Sequence, residues 1–468
     1  MIPSGVLSGY ELEVSSGMAA KIVQGVAGIV GVVVFARALG PSGLGAYYLL
    51  LAVARLASRP IAGVGVAAKK HAADDRTPSG EVFAVMLAAG GALAAVMSAT
   101  ALLAEGILSS YVSVGDAGLL FVVVIFGFWL WISVDRLVEG EQEVARQMWI
   151  DSLRSVVTLA LQLVFLLHFG LGVAGLVLGL VVATALTAPL SWIIVRVVPE
   201  RPSRRTVGMM ASYSRHSVPG EVVGLGFDRV DQLLLGAMFG PAAVGLYEVS
   251  EKLTTPAEYL GGVAAKTAMP DISAASGVGD GVGGEIEAGL RLSALIALPI
   301  FAGSVIVGEQ LLVVTYGSEY AAAFPFLVAL AFIRVLKSQS GIFFAALKGM
   351  GMPDRTFRIT SVSLAVNLVV GVLLGWIIGV VGIVAASAVA CAVRYVYARQ
   401  SVAECVDASL LHGWTRVQAG ASGLMGAVLV PVVFLASPTG AIEVGAVVAA
   451  GGVVYLAALA IYWEFDVS

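Results

Sequence analysis

Charged residues are scarce in this chain of 468 amino acids. Asp, Glu, Lys and Arg together make up 12% of the sequence, whereas an ordinary soluble domain carries about 25%. Apolar residues reach 59%, and the mean hydropathy is +0.95. This composition excludes a soluble globular protein and predicts an all-α, polytopic membrane protein.

Cysteine and histidine are also rare, and their positions exclude several kinds of site. The two cysteines, Cys391 and Cys405, have no second pair near them, so neither a disulfide framework nor a zinc site is predicted. The four histidines fall at or near the ends of predicted helices, which argues against a histidine-based catalytic centre. The nucleotide-binding pattern of Gly, four residues, then Gly-Lys-Ser/Thr is absent from the sequence, so direct use of ATP by this chain is excluded. We predict no cofactor, no bound metal, no enzymatic activity and no nucleic-acid partner.

Long apolar segments indicate the number of membrane crossings. A spanning helix needs about 20 predominantly apolar residues, and this rule predicts about fourteen such helices in the chain. An even number of crossings places both termini on the same side of the membrane. The predicted spans are 18–38, 44–67, 82–104, 117–134, 152–169, 172–195, 217–239, 243–265, 290–313, 323–346, 359–377, 379–397, 417–436 and 442–463.

The orientation follows from Lys and Arg, which favour cytoplasmic loops. With a cytoplasmic N-terminus, the outward loops of the predicted topology receive none of these residues, and only Arg37 lies near an outer end. We therefore predict a multi-pass protein of the cytoplasmic membrane with both termini in the cytoplasm. The residues on the inward side are Lys69, Lys70, Arg76, Arg136, Arg146, Arg201, Arg204, Arg205, Arg215, Lys266, Lys348, Arg355, Arg358, Arg399 and Arg416.

The sequence also repeats itself. Three groups of motifs recur in the same order, at offsets of 200, 197 and 207 residues. Because they lie inside apolar stretches, the duplication is one of membrane bundles, an arrangement with which many transporters build a central substrate path. The matched segments are Gly40-Pro41, Gly45 and Tyr47 with Gly240-Pro241, Gly245 and Tyr247; Gly65 to Lys69 with Gly262 to Lys266; and Gly172 to Val177 with Gly379 to Val384.

The duplication divides the chain into four predicted regions. Residues 1–198 form an N-terminal six-helix bundle, and residues 217–400 form a C-terminal six-helix bundle. Both bundles start from the cytoplasm, so the two repeats are parallel. Residues 199–216, which are rich in proline and arginine, are predicted to be a solvated cytoplasmic linker, and residues 401–468 supply two additional transmembrane helices.

Several of the motifs resemble those of Wzx-type polysaccharide flippases. The likeness to this family is densest where each half begins and extends over nearly the whole chain. It implies membership of the multidrug/oligosaccharidyl-lipid/polysaccharide exporter superfamily, with a V-shaped, MATE-like pair of helix bundles around a central cavity. The segments that carry the resemblance are Phe35 to Pro41 with Gly43, Gly45 and Tyr47; Asp231 to Gly236 with Gly240-Pro241 and Gly245 to Tyr247; and Asn367 with the glycine-rich hairpin from Gly375 to Gly382.

Basic residues inside the predicted spans are the candidate substrate-binding residues, because a charged side chain at bilayer depth usually faces a cavity or a partner. Arg55 and Arg59 lie one turn apart on a common face of the second predicted span. The repeat offset of 197 residues carries Arg55 onto Lys252, so each half places a cation at an equivalent depth. Arg334 and Lys337, three residues apart, extend the basic zone. Such a pocket suits a phosphate or pyrophosphate group, for which arginine offers a fork of donors.

Internal ion pairing is the competing interpretation of these charges. Glu248 precedes Lys252 by four residues, which is the favourable order for an ion pair on a helix. Two acidic residues, Asp228 and Asp231, have the same ambiguity. They either neutralise neighbouring arginines or take up a proton or sodium ion and couple its gradient to transport.

Three functions are compatible with these features. A flippase that moves a polyprenyl-phosphate- or pyrophosphate-linked oligosaccharide by alternating access explains the duplication, the basic residues and the resemblance. A cation-coupled multidrug exporter of the same fold would favour an acidic, aromatic-lined cavity, and a membrane-embedded glycan polymerase or acyltransferase would favour larger outer loops. We predict the flippase, with the lipid-linked oligosaccharide, membrane lipids, and a glycan polymerase or glycosyltransferases of the same pathway as its partners.

Overall fold

The computed structural model is built from helices. Its regular secondary structure, within the residues it describes, is entirely helical, as expected for a backbone that must satisfy its own hydrogen bonds inside a bilayer. The predicted all-α fold class is therefore confirmed. The described residues are 4–74, 76–141, 143–278, 282–406, 413–436 and 438–467.

Two compact units make up the chain, Met1–Gly245 and Leu246–Ser468. Helix α9, Pro241–Val278, begins at the end of the first unit and continues into the second. The helices before it are α1 Ser4–Ala57, α2 Arg59–Ala72, α3 Ser79–Leu103, α4 Glu105–Val112, α5 Ala117–Gly140, α6 Val144–Leu163, which continues as a π-helical turn Val164–His168, α7 Gly172–Val195 and α8 Arg204–Phe239. The helices after it are α10 Val282–Tyr316, a short 3₁₀ helix Ser318–Ala323, α11 Phe324–Gly349, α12 Pro353–Ile378, α13 Val380–Ala403, α14 Gly413–Ala436 and α15 Ala441–Val467.

The surface of these helices is suited to lipid. Eleven helices in the described part of the chain are long and apolar enough to cross a membrane. Large apolar side chains project from several of them, with exposed fractions of 91% for Leu103, 82% for Trp376 and 82% for Phe434. Water would penalise so much exposed apolar surface, whereas lipid tails solvate it. The chain is a multi-pass membrane protein.

The number of crossings stays a prediction. One of the eleven candidates, Ala19–Ala57, corresponds to the predicted span 18–38 and to the first part of the predicted span 44–67, on either side of Gly40. Helices α8 and α9, which cover two further predicted spans, are not among the eleven. In α8 the apolar stretch is interrupted by charged residues, including Asp228 and Asp231.

The repeated Gly-Pro pairs make matching turns. Gly40 has φ 64° and ψ −178°, and Gly240 has φ 79° and ψ −178°. Both φ values lie in the left-handed region, which glycine adopts without a steric penalty. The proline that follows each glycine needs no backbone donor at the start of a helical segment. The two copies of the motif thus produce the same local geometry.

Two other repeated glycines bring these turns into direct contact within the first unit. A Cβ atom on Gly45 would collide with the carbonyl oxygen of Pro241, and a Cβ atom on Gly245 would collide with the carbonyl oxygen of Pro41. The contact is reciprocal, because the glycine of each repeat meets the proline of the other. Only a residue without a side chain fits at either position.

The third repeated segment forms the connection between two helices in each half. Gly172, which begins α7, has φ 55°, and its counterpart Gly379, just before α13, has φ 71°. Three residues later, Gly175 and Gly382 both face backbone atoms of the preceding helical segment. The repeat therefore specifies a tight turn followed by close helix packing in both halves.

Helix α8 begins inside the predicted linker. Ser203 is its N-cap, since the Ser203 hydroxyl accepts a hydrogen bond from the Thr206 amide at 3.2 Å. A carboxylate oxygen of Glu81, in the first turn of α3, accepts hydrogen bonds from the Ser203 amide at 2.9 Å and from its hydroxyl at 2.7 Å. Ser203 has an extended backbone, and the helix begins at Arg204. Polar residues of the predicted linker, such as Arg204 and Arg205, therefore lie at exposed positions on this helix.

The division into four predicted regions stays a prediction. Helix α8, which the sequence assigns to the second bundle, lies in the first compact unit and packs extensively against α2. Because the unit boundary at Gly245 falls just after the second Gly-Pro turn, the compact units and the sequence repeats do not coincide.

The last two helices belong to the core of the second unit. Helices α14 and α15 pack against α10 through buried side chains that include Val307, Met425 and Tyr455. The Tyr455 hydroxyl donates to the Leu295 carbonyl oxygen at 2.8 Å. A second core cluster, which includes Ile286 and Phe343, joins α10 to α11.

Candidate substrate-binding site

The predicted site residues are divided between the two compact units. Each set has its own charged neighbours. Arg55, Arg59, Asp228 and Asp231 belong to the first unit, and Lys252, Arg334 and Lys337 belong to the second.

In the first unit, Arg55 and Arg59 flank a break between two helices. Helix α1 ends at Ala57, and α2 begins at Arg59. Pro60 has no N–H group with which to continue the helical ladder, and the Ser58 hydroxyl donates to the Arg55 carbonyl oxygen at 2.8 Å. The sequence predicts one continuous helix here, and the structure differs because hydropathy does not register a proline in apolar surroundings.

Arg59 forms an ion pair with α8. Its Nη1 atom lies 3.0 Å from Oε2 of Glu221, and the two side chains are 26% and 29% exposed. Close by, the Ser217 hydroxyl donates to the Gly63 carbonyl oxygen at 2.7 Å. The positive charge of Arg59 is therefore balanced by a carboxylate on the neighbouring helix.

The two aspartates of α8 lie in different environments. Asp231 is buried, with 7% of the residue exposed, whereas Asp228 is exposed. Near Asp231, the Tyr111 hydroxyl donates to the Leu233 carbonyl oxygen at 2.7 Å. Burial raises the pKa of Tyr111 to about 12, so this hydroxyl keeps its proton and ties α4 to α8.

In the second unit, Arg334 is the most enclosed of the predicted cations. It is 5% exposed. Its Nη2 atom donates to Glu251 at 3.2 Å, its Nη1 atom donates to Glu258, and its Nε atom lies 3.5 Å from the Thr254 hydroxyl. All three partners lie on α9, so the arginine of α11 is held along one face of that helix.

Lys252 lies on α9 beside a buried acid. Its Nζ atom is 4.0 Å from Oε2 of Glu248, whose side chain is 1% exposed. This is the internal pairing that the sequence offers as the alternative to phosphate binding. Lys337, three residues after Arg334 on α11, is partly buried.

Lys252 and Arg334, two of the predicted cations of the second unit, are matched by acids of α9. Lys252 lies beside Glu248, and Arg334 contacts Glu251 and Glu258. A buried charge without a partner is costly in a low-dielectric environment, which explains why acids accompany the bases. An incoming phosphate must therefore compete with carboxylates for Arg334.

The acidic partners of Arg334 had a signal in the sequence. Glu251, Thr254 and Glu258 follow one another at spacings of three and four residues, which places them on one face of a helix. This spacing does not connect Glu251 and Glu258 with Arg334, which lies 83 and 76 residues further along the chain. The partner of Arg59 had no such signal, since Glu221 lies 162 residues away along the chain.

Comparison with known proteins places this fold in a family. Residues 34–325 match the family described as polysaccharide biosynthesis protein. The relative described as probable low-salt glycan biosynthesis flippase Agl15, from Haloferax volcanii, is 24% identical over 371 residues, which cover 78% of this chain and 78% of that protein.

Two solved structures have the same helical fold. The lipid II flippase MurJ in an inward closed conformation superimposes with a TM-score of 0.80 at 12% identity, covering 97% of this chain and 99% of that chain. An inward-facing multidrug resistance MATE family transporter of the MOP superfamily superimposes with a TM-score of 0.64 at 19% identity, covering 81% and 95%. The resemblance that the sequence motifs indicate is confirmed, and the chain belongs to the polysaccharide biosynthesis protein family.

Proposed function

We propose that this protein is a flippase that moves a lipid-linked oligosaccharide across the membrane. The observation that carries the proposal is membership of the polysaccharide biosynthesis protein family, together with a relative described as a glycan biosynthesis flippase. The fold, shared with a lipid II flippase, supports the same function. The substrate is an oligosaccharide joined to a polyprenyl phosphate or pyrophosphate, and the protein translocates it without changing its covalent structure.

Each half contributes one cation for the substrate phosphate, Arg55 in the first and Lys252 in the second. These residues occupy equivalent positions of the two sequence repeats, and both side chains are partly buried. A guanidinium and an ammonium group in a low-dielectric wall attract a phosphate more strongly than they do in water. As the resemblance to polysaccharide flippases implies, the glycan is carried inside the protein while the lipid tail stays in the bilayer.

Arg59, Arg334 and Lys337 support this site, and the first two do so by exchanging partners. Arg59 is held by Glu221 at 3.0 Å, and Arg334 is held by Glu251 at 3.2 Å. A substrate phosphate that approaches Arg334 replaces one carboxylate contact with another anionic contact. Binding is thereby reversible, which a transporter needs in order to release its substrate.

Transport proceeds by alternating access of the two repeats. Asp231 is the better of the two candidates for coupling to a proton or sodium gradient, because it is buried whereas Asp228 is exposed. The protein works in the cytoplasmic membrane with both termini in the cytoplasm. There it receives its substrate from the glycosyltransferases of the pathway and delivers it to a glycan polymerase.

A cation-coupled drug exporter is the second candidate. It is favoured by the likeness to a multidrug resistance transporter and by the acidic side chains of Glu248, Glu251 and Glu258 on α9. These acids are paired with basic side chains, however, and an exporter of cationic drugs needs negative charge that the protein itself does not neutralise.

Reconstitution distinguishes the two functions. The purified full chain is placed in liposomes that carry a short-chain polyprenyl-pyrophosphate-linked sugar in one leaflet, and the appearance of the sugar in the other leaflet is followed with and without an ion gradient. Movement faster than in protein-free liposomes is the result expected of a flippase. Absence of movement, together with gradient-dependent efflux of a cationic dye from the same preparation, would establish the exporter instead.

A further inference from the structure

A carboxylate near the end of α5 has a glutamine, rather than a cation, as its partner. Asp135 is partly buried, and α5 is one of the helices apolar enough to span the membrane. The Gln147 side chain of α6 donates through Nε2 to Oδ1 of Asp135 at 2.9 Å. Within the part of the chain that the structure describes, no ion pair includes Asp135.

The glutamine partner is itself incompletely satisfied. Gln147 is 4% exposed, and its Oε1 atom is buried without a hydrogen-bond donor among the described residues. A buried amide oxygen that lacks a donor costs roughly 1 to 3 kcal/mol. The amide nitrogen of Gln147 is therefore bonded to Asp135, whereas its amide oxygen lacks a hydrogen-bond donor.

The basic side chains near Asp135 form ion pairs with other acids. Arg136 and Lys69 contact Glu139 at 2.8 and 3.2 Å, and Arg154 and Lys21 contact Asp151 at 2.8 and 3.4 Å. Three titratable groups face Asp135, namely Glu139 and Arg136 on α5 and Asp151 on α6. The other basic side chains in the neighbourhood bind Glu139 or Asp151; they are Arg154 on α6, Lys69 on α2 and Lys21 on α1. Each of the four basic side chains thus contacts Glu139 or Asp151, and none of them forms an ion pair with Asp135.

We propose that Asp135 and Gln147 form a proton-binding site. One proton from water binds the Asp135 carboxylate, and the resulting carboxylic acid donates to Gln147 Oε1 while it continues to accept from Nε2. A carboxylic acid and a primary amide are complementary in this way, because each offers one donor and one acceptor side by side. Protonation removes a charge that the apolar surroundings disfavour and supplies the donor that the amide oxygen lacks.

A proton fits this pair better than a metal ion does. The described residues offer one carboxylate and one amide oxygen at the site, whereas a divalent cation takes about six or more oxygen ligands. The change also has a mechanical consequence, since the side chains of Asp135 on α5 and Gln147 on α6 share one hydrogen bond before protonation and two afterwards. This inference does not depend on the identity of the transported substrate.

Infrared titration of the purified full chain in lipid nanodiscs tests the site directly. The carboxylic acid C=O band is recorded as the pH is lowered, in wild type, in Asp135→Asn and in Asp354→Asn, a matched control at an exposed carboxylate in the first turn of α12. The wild type and Asp354→Asn should both show a component that is sensitive to deuterium exchange and is lost in Asp135→Asn. Asparagine preserves the shape of the side chain, so the variant is expected to fold, and its thermal unfolding is checked in parallel.

Two further outcomes decide the assignment. Gln147→Leu should shift the midpoint of the same component, because the carboxylate loses its hydrogen-bond donor. Titration curves that are identical in wild type and Asp135→Asn would overturn the proposal, as would a component that follows sodium concentration at constant pH. Since no substrate is present, the result does not depend on whether the protein proves to be a flippase.

Discussion

At the scale of single residues, three of the basic side chains predicted to bind a phosphate lie next to carboxylates. Arg59 is paired with Glu221, Lys252 lies beside Glu248, and Arg334 contacts two glutamates. The sequence identified these cations from their depth in apolar spans. It also indicated Glu248 as a partner of Lys252, from their spacing of four residues. It did not identify Glu221 beside Arg59 or the glutamates beside Arg334, because contacts between distant segments leave no periodic pattern.

The buried arginine of α11 should matter for stability as well as for transport. Replacing Arg334 by Met removes its 3.2 Å contact with Glu251, and removing one member of a buried ion pair typically costs about 3 kcal/mol or more. We expect the free energy of unfolding to fall by about that amount, measured by denaturant titration in detergent micelles.

A double-mutant cycle supplies the control for this prediction. Glu251→Gln and the combination with Arg334→Met are measured alongside the single variant. The combined variant should lose less stability than the sum of the two single changes, because each removes the same interaction. Strictly additive losses would contradict a stabilising contact between these two residues.

The residues placed at equivalent positions of the two repeats should be needed for transport. Arg55→Ala and Lys252→Ala are each expected to reduce the rate of flipping at least tenfold, because each removes a cation that binds the substrate phosphate. The rate is measured in liposomes at matched protein content. Arg146→Ala, a change at an exposed residue with a side chain that is 67% accessible, is the control and should flip at the wild-type rate. Undiminished transport by Arg55→Ala and Lys252→Ala would remove both residues from the binding site.

At the scale of helices, the length of the apolar segments predicted where helices lie but not where they are interrupted. Nearly every predicted span lies within a helix of the structure, because a bilayer leaves the backbone no other regular arrangement for a single segment. The break between Ala57 and Arg59 was not predicted, although Pro60 marks it. The helical start at Arg204 was not predicted either, although Ser203 is a favourable N-cap residue.

The contact between the two Gly-Pro turns should tolerate no side chain. Gly45→Ala and Gly245→Ala both bring a methyl group into backbone carbonyl oxygens, which cannot move aside as a flexible side chain can. We expect either variant to lose most of its folded yield, as measured by size-exclusion chromatography of the detergent-solubilised protein. Gly28→Ala, at a position of α1 with open space around it, is the matched control and should be recovered at the wild-type level.

The start of α8 should depend on its cap. Ser203→Ala removes the hydroxyl that accepts from the Thr206 amide and donates to Glu81, and loss of such a cap costs about 1 kcal/mol. Thermal unfolding should therefore begin at a lower temperature in Ser203→Ala. A Ser203→Asp variant keeps an acceptor for the Thr206 amide but places a second carboxylate beside Glu81, so it should not restore stability. Full stability of Ser203→Ala would mean that the hydroxyl contributes nothing to this junction.

At the scale of the whole molecule, the sequence predicted the fold class, the membrane location and the family, because these depend on composition and on motifs shared by both halves. The matching turns at Gly40 and Gly240 come directly from the duplication. The organisation of the compact units was harder to predict. Whether α8 packs with one half or the other depends on contacts with α2, which no local pattern reveals.

The chain carries its own reporters of orientation. Cys405 is exposed and Cys391 is buried, and they are the two cysteines of the sequence. Cys405 follows α13, on the side that the Lys and Arg distribution assigns to the cytoplasm. A membrane-impermeant maleimide should label Cys405 in inside-out vesicles and leave it unlabelled in intact cells, with Cys405→Ser as the control for specificity. Labelling from outside would reverse the predicted orientation.

The activity proposed for this protein is the movement of a lipid-linked oligosaccharide between leaflets. The most direct measurement is the rate at which a polyprenyl-pyrophosphate-linked sugar changes leaflets in liposomes that contain the purified chain and no other protein. If the protein is a flippase, the sugar moves faster than in protein-free liposomes, at a rate that rises with the amount of protein and saturates with substrate. A rate equal to that of protein-free liposomes, obtained with folded protein in both orientations, would contradict it.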